Sequence, residues 1–171
     1  ADINGDGAAR VAESLTASGI EAQAVQTDIT SRESTQALAK SAQAAFGGVD
    51  ILVNNAALMV ELTGAEMQRV IDCDRENWHR AMDVNVAGAL HCSQAIVPLM
   101  RERGGGKIVN QVSAGAYPAG TLYGITKLAL VGLTTALATE LGPEHINVNA
   151  IAPGMTESCL LYTSPSPRDL P

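Results

Sequence analysis

Three short apolar runs, Val49-Asp-Ile-Leu-Val53, Ile108-Val109 and Ile146-Asn-Val-Asn-Ala-Ile151, are separated by stretches long enough to hold helices. Compact runs bounded by turn residues are the pattern of parallel strands buried on both faces. Parallel strands cannot be joined by a tight hairpin and need a crossover, usually a helix. The intervening segments supply one. Helical spacing extends from about Arg75 to Arg101, and again from about Thr121 to Leu141, where Leu130, Leu133, Leu137 and Leu141 share a stripe. Strands alternating with helices predict an α/β, doubly wound parallel sheet.

The first third of the chain follows the same alternation. Asn4-Gly5-Asp6-Gly7 is a helix-start cluster, with Ala8, Val11, Ala12 and Leu15 at helical spacing and Gly19 as the stop. A short strand is expected over Ala22 to Thr27. Thr30-Ser-Arg-Glu33 matches a capping box opening a helix that runs to Phe46 and ends at Gly47-Gly48.

At 171 residues and 46% hydrophobic the chain suits one domain with a sizeable core, which excludes disordered and fibrous classes. A net charge of -7 argues against nucleic acid or an anionic membrane as partner. Cys73, Cys92 and Cys159 fit neither a metal spacing nor a disulfide framework and point to a reducing compartment. With no signal peptide and no apolar stretch long enough to cross a bilayer, a cytoplasmic protein is expected. His91 and His145 have no acid or ligand partner at useful spacing, so no metal site is expected. Trp78 and His79 read as packing and surface residues.

Tyr123-Gly-Ile-Thr-Lys127 places a phenol and an ammonium on one helix face. A unit charge roughly 4 Å from the phenol, at an effective dielectric near 20, contributes about 4 kcal/mol, roughly 3 pKa units. That would bring a tyrosine into working range near neutral pH. An interfacial tyrosine beside a solvated lysine gives the same spacing, so the pair needs company. Three polar clusters provide it by following the three strands: Asn54-Asn55-Ala56-Ala57, then Ser113, then Pro153-Gly154. The carboxyl ends of parallel strands are where open α/β sheets bind ligands.

Asn54-Asn-Ala-Ala57, Val84-Asn85-Val-Ala-Gly88, Ser113, Tyr123-x-x-x-Lys127 and Pro153-Gly154, in this order, resemble the classical short-chain dehydrogenase/reductase family over roughly Ala1 to Glu157. The resemblance implies a Rossmann-like sheet and a catalytic tetrad of Asn85, Ser113, Tyr123 and Lys127. Tyr123 would be the general acid/base and Ser113 would hold the substrate oxygen. Lys127 would lower the phenol's pKa and bind the nicotinamide ribose, and Asn85 would hold a water in a proton relay. Cofactor contacts carried over in the same way are Asp2, Asp28, Ile29, Asn54, Ala56, Tyr123, Lys127, Pro153 and Gly154. Asp2 matches the acid that accepts from the adenosine ribose hydroxyls and repels a 2′-phosphate, which favours NAD over NADP. Asp2 also reads as a helix N-terminal acid, and Asp28 as a residue preceding a capping box.

The implied activity is oxidoreduction between a secondary alcohol, or a 3-hydroxyacyl group, and its ketone. A dehydratase or isomerase on the same fold, or a non-catalytic interaction module, are the alternatives. A small-molecule alcohol or ketone is the implied partner, and a homotetramer or homodimer the implied assembly.

Several positions depart from the family pattern. Ala57 replaces the usual glycine, and Ser113 and Tyr123 are closer than is common. Segment Leu58 to Asp74, with Glu61, Glu66, Asp72 and Asp74, reads as a solvated acidic loop at the site rim. No glycine-rich phosphate loop or first strand precedes Asp2, so a partial domain over 1–158 is expected, one that neither binds NAD tightly nor folds stably by itself. Cys159-Leu-Leu-Tyr-Thr-Ser-Pro-Ser-Pro-Arg-Asp169 resembles a translated transposase sequencing adapter. Residues 159–171 are therefore expected to be non-native, with Ser158 bordering the junction.

Overall fold

Side-chain caps set the helix starts. The Asn4 side chain accepts from the Gly7 amide and opens α1 (Gly5–Ala17). Ser31 accepts from Ser34 and opens α2 (Arg32–Phe46), which Gly47 closes in the left-handed conformation at φ 74°. The cap therefore falls one residue later than the Thr30–Glu33 box predicts. The Thr30 side chain turns back to Asp28, donating to Oδ1 at 2.7 Å, while Ser31 Oγ accepts from Ser34 N at 3.2 Å.

The computed structural model describes residues 1–59 and 69–154. Three strands, β1 (Ile51–Asn54), β2 (Gly106–Gln111) and β3 (Ile146–Ile151), form a parallel sheet in that order. Between β1 and β2 lie α3 (Arg75–Met82), a five-residue π-helical segment (Asp83–Ala87) and α4 (Gly88–Glu102), continuous with one another. The long helix α5 (Leu122–Leu141) joins β2 to β3 and is capped by Thr121, which accepts from Gly124. These elements make the α/β, Rossmann-like parallel sheet that the alternation predicts. Residues Glu61, Glu66 and everything from Met155 onward lie outside the described residues, including the adapter-like tail.

Burial alternates along the strands with a period of two. Leu52, Ile108 and Val148 are register partners on one face, and Ile108 and Val148 are buried. They pack with Ala39 of α2, Ile96, Val97 and Met100 of α4, and Leu137 and Leu141 of α5. On the other face Ile51 and Val53 are 59% and 55% exposed. The strands are thus covered on one side among the described residues, not on both as their apolar runs predict. Helices α2, α4 and α5 all serve the same face, and α1 buries none of its residues.

The expected strand over Ala22–Thr27 is reduced to a single parallel bridge between Asp2 and Gln26. Thr27 donates to the Asp2 carbonyl at 2.9 Å and Asp2 to Val25 at 3.4 Å. A ladder needs consecutive partners, and the chain turns away at Asn4, whose amide bonds to Asp2 Oδ1.

A buried polar ladder crosses the covered face. Asn54 Nδ2 donates to Asn110 Oδ1 at 2.8 Å, and Asn110 Nδ2 donates to Thr134 Oγ1 at 2.9 Å. Asn110 is fully buried, so these bonds tie β1 to β2 and β2 to α5 where an unpaired amide would be costly.

Among the described residues one span is apolar and long enough to cross a bilayer, contrary to the sequence expectation: Leu122–Glu144, 23 residues with mean hydropathy 1.4. In this fold its Leu130, Leu137 and Leu141 are buried and it packs on β3, burying one face of the helix.

Candidate functional site

Because the strands are parallel and in register, their carboxyl ends deliver three loops to one sheet edge. Val112 donates to the Ile151 carbonyl at 2.9 Å and Ala114 to the Pro153 carbonyl at 3.0 Å. The chain around Ser113 is thereby fastened to the Pro153-Gly154 loop. Ser113 Oγ accepts from Gly115 N at 3.1 Å, which winds a 3-10 turn over Ala114–Ala116.

Helix α5 begins directly against that turn. A Cβ at Gly124 would lie 2.7 Å from the Gly115 carbonyl oxygen and 3.2 Å from Ala119 Cα, so only glycine permits the approach. The approach puts Tyr123, in the first turn of α5, beside the turn that carries Ser113. Ala119 completes the short connection at φ 46°, a left-handed conformation uncommon for alanine.

One turn further on, Lys127 is 2% exposed. Its Nζ donates to the Gln111 carbonyl at 2.7 Å and stands 5.6 Å from the centroid of the Tyr123 ring. Burial pulls the ammonium's pKa down to about 8. Burial also raises the Tyr123 phenol, and the neighbouring Ser113 side chain only partly opposes it. The shift runs opposite to the direction that the Tyr123–Lys127 spacing predicts, with desolvation its largest cause.

Asn85 lies in the π-helical segment and is 2% exposed. Its carboxamide pairs with the Leu58 backbone, accepting from Leu58 N at 2.7 Å and donating to Leu58 O at 3.0 Å. Nδ2 also donates to Thr126 Oγ1 at 3.0 Å. Both amide hydrogens are spent, so a water held by this side chain would sit on Oδ1. π segments inside α-helices recur at functional sites.

The expected cofactor residues divide into two groups. Tyr123, Lys127, Pro153 and Gly154 gather around Ser113. Asp2 and Asp28 stand apart on the Asp2–Gln26 bridge and the loop after it. Asp2 Oδ1 accepts from Asn4 N at 2.9 Å. Asp28 Oδ1 accepts from both Thr30 Oγ1 and Thr30 N, which hold its carboxyl below the usual range. The Ile29 carbonyl bonds to His91 Nδ1 at 3.1 Å, and the Ile29 side chain packs against Gly88. Ala56 is exposed in the loop after β1. Asn54, by contrast, turns its amide into the fold, towards Asn110.

The Lys127 ammonium has three donors and spends one on Gln111, leaving two for ribose hydroxyls. With Pro153-Gly154 alongside, the donor set fits the nicotinamide-ribose half of a dinucleotide. Among the described residues no glycine-rich turn cradles a pyrophosphate.

Sequence reasoning missed Gly124, Thr126 and Asn110. Gly124 and Thr126 lie inside the Tyr-x-x-x-Lys motif, where only the end positions draw notice. A threonine in a helix interior, able to bond back to its own helix, was the available signal for Thr126.

The short chain dehydrogenase family model matches residues 1–167, and the chain belongs to this family. An uncharacterized oxidoreductase of Mycobacterium tuberculosis is 43% identical over 130 residues, which cover 76% of this chain and 51% of that protein. Among solved structures, a 7α-hydroxysteroid dehydrogenase complexed with NADH and 7-oxo glycochenodeoxycholic acid superposes with a TM-score of 0.85 at 34% identity. That match covers 97% of this chain and 64% of the other. The L-sorbose reductase of Gluconobacter frateurii, complexed with NADPH and L-sorbose, gives 0.81 at 33% identity, covering 90% and 58%. The chain spans about half the length of the curated relatives it matches.

Proposed function

We propose that the protein containing this chain is a nicotinamide-dependent oxidoreductase interconverting a secondary alcohol, or a 3-hydroxyacyl group, and its ketone. The observation that carries this reading is the meeting of Ser113, Tyr123 and Lys127 at the carboxyl edge of the sheet, with a buried ammonium one turn along α5 from the phenol and 5.6 Å from the centroid of its ring. A bound nicotinamide would supply or accept the hydride.

The chain's own residues do the rest. A substrate oxygen lodged between Ser113 and Tyr123 receives a hydrogen bond from each. The phenol, kept protonated at neutral pH by its burial, gives its proton to that oxygen during ketone reduction and must recover one afterwards. Lys127, with two remaining donors and a pKa of about 8, is suited both to hold the ribose and to pass protons inward. Asn85 fixes the floor of the site through Leu58 and Thr126. Asp2, whose carboxylate is exposed, favours NAD by accepting from ribose hydroxyls and repelling a 2′-phosphate. Substrate is a small-molecule alcohol or ketone, and a homodimer or homotetramer is the assembly expected from the family.

The test is turnover of NADH and NADPH by the purified full-length protein with a panel of secondary alcohols and ketones, followed by cofactor absorbance. Cofactor turnover with at least one pair, faster with NADH, supports the reading. No turnover with any pair rejects it.

A further inference from the structure

Thr126 lies between the two motif residues and is fully buried. Its hydroxyl makes two bonds of opposite sense. Oγ1 donates to the Tyr123 carbonyl at 2.7 Å and accepts from Asn85 Nδ2 at 3.0 Å. A hydroxyl has one proton, and this one is committed to the helix. Only lone pairs therefore face the π segment, and whatever meets them must donate. That requirement orients the Asn85 carboxamide: Nδ2 towards Thr126 and Oδ1 towards the Leu58 amide, where an acceptor is needed.

The chain of contacts runs Leu58, Asn85, Thr126, Tyr123. It ties the loop after β1, the π-helical segment and the first turn of α5 together through one hydroxyl. The bond ends on the carbonyl of the residue that carries the phenol. We infer that Thr126 is a positioning residue: it sets the first turn of α5, and with it Tyr123, against the Asn85–Leu58 pair. Without the hydroxyl, one N–H of the buried Asn85 loses its protein partner. It can regain a partner only if Asn85 or the start of α5 moves, and both carry the proposed chemistry. Thr134 supplies a second instance of the device on the same helix, donating to Leu130 O while accepting from Asn110, but it lies further from Tyr123.

This inference rests on Tyr123 acting as the proton carrier, and its test separates the two. In the unmodified full-length protein, the Thr126 hydroxyl proton and the Asn85 side-chain amide protons, followed by NMR, are expected to exchange at least about tenfold more slowly than the exposed Thr139 hydroxyl and the half-buried Asn77 amide. Equal rates would overturn the clamp whether or not the protein turns over substrate. In kinetics, Thr126→Val is expected to lower kcat about tenfold or more with KM for both substrates within about threefold, a loss of positioning without loss of binding. Thr126→Ser, which keeps the hydroxyl, is expected to restore kcat. Thr139→Val, which removes an exposed hydroxyl bonded back to Thr135 on the same helix, serves as the control. Thr126→Ser as impaired as Thr126→Val would overturn the inference by assigning the effect to the methyl group. Slow exchange in a protein without cofactor turnover would instead refute the proposed activity and leave the clamp standing.

Discussion

Lys127 donates to the main-chain carbonyl of Gln111, the last residue of β2, at 2.7 Å. This bond fixes a buried ammonium at the end of the central strand, and from there it faces the ring of Tyr123. A long flexible side chain is thereby held as a fixed charge, and its burial has consequences that can be measured.

Lys127 makes stability depend on pH in a definite direction. Its pKa is about 8 in the fold, below the 10.5 of the free side chain. Below pH 8 the lysine is charged in both states, and the cost of burying that charge is present in full. Between 8 and 10.5 the folded protein has released the proton while the unfolded chain still binds it, so stability rises with pH. Thermal unfolding of the wild type and of Lys127→Met should therefore diverge over this window, with the wild type gaining. A constant difference between them would contradict the buried charge.

Gly124 controls how closely α5 approaches the Ser113 turn. Gly124→Ala places a methyl 2.7 Å from the Gly115 carbonyl oxygen, and backbone on one side must give way. Destabilisation of about 1–3 kcal/mol is expected, as for overpacking elsewhere. Activity should fall by about tenfold or more as Ser113 and Tyr123 separate. Urea unfolding and steady-state kinetics on one preparation check both.

The Asn54–Asn110–Thr134 ladder is expected to matter for folding more than for chemistry. Asn110→Ala removes the 2.8 Å acceptor of Asn54, leaving its amide only the 3.4 Å contacts to Ala89 O and Ser93 Oγ, and removes the donor to Thr134, at a cost of about 1–3 kcal/mol. Urea midpoints should report the loss, while KM for the cofactor stays near the wild-type value.

The raised pKa of Tyr123 predicts a directional pH profile. Reduction of a ketone uses the protonated phenol and should be insensitive to pH across the neutral range. Oxidation of the alcohol needs the deprotonated form, whose fraction climbs with pH, so its rate should rise into the alkaline range. Initial rates in both directions across a pH series test this.

Much of this architecture was legible in the sequence. The strand runs at Val49, Ile108 and Ile146 and the extents of the longer helices follow from periodicity, and the strand-end places of Ser113 and Pro153 from parallel topology, while their grouping with Tyr123 and Lys127 is what the resemblance to the short-chain dehydrogenase/reductase family implies. Other features depend on what packs where. An apolar run such as Val49–Val53 reads the same whether one face or two are covered, so the exposure of Ile51 and Val53 could not be anticipated. The helical spacing through Asp83–Ala87 does not register a wider turn. Placing Ser31 instead of Thr30 at the α2 cap depended on the Thr30 side chain turning back towards Asp28. The sign of the Tyr123 shift was lost because a charge estimate from spacing omits the cost of burying the phenol.

The most direct test of the account is kcat/KM for ketone reduction by the full-length protein and by Tyr123→Phe, with folding of both verified by circular dichroism. The variant keeps the ring and loses only the transferable proton. A fall of about 10²–10⁴-fold is predicted, the range expected for loss of a general acid. Unchanged kcat/KM in a folded variant would contradict Tyr123 as the proton carrier.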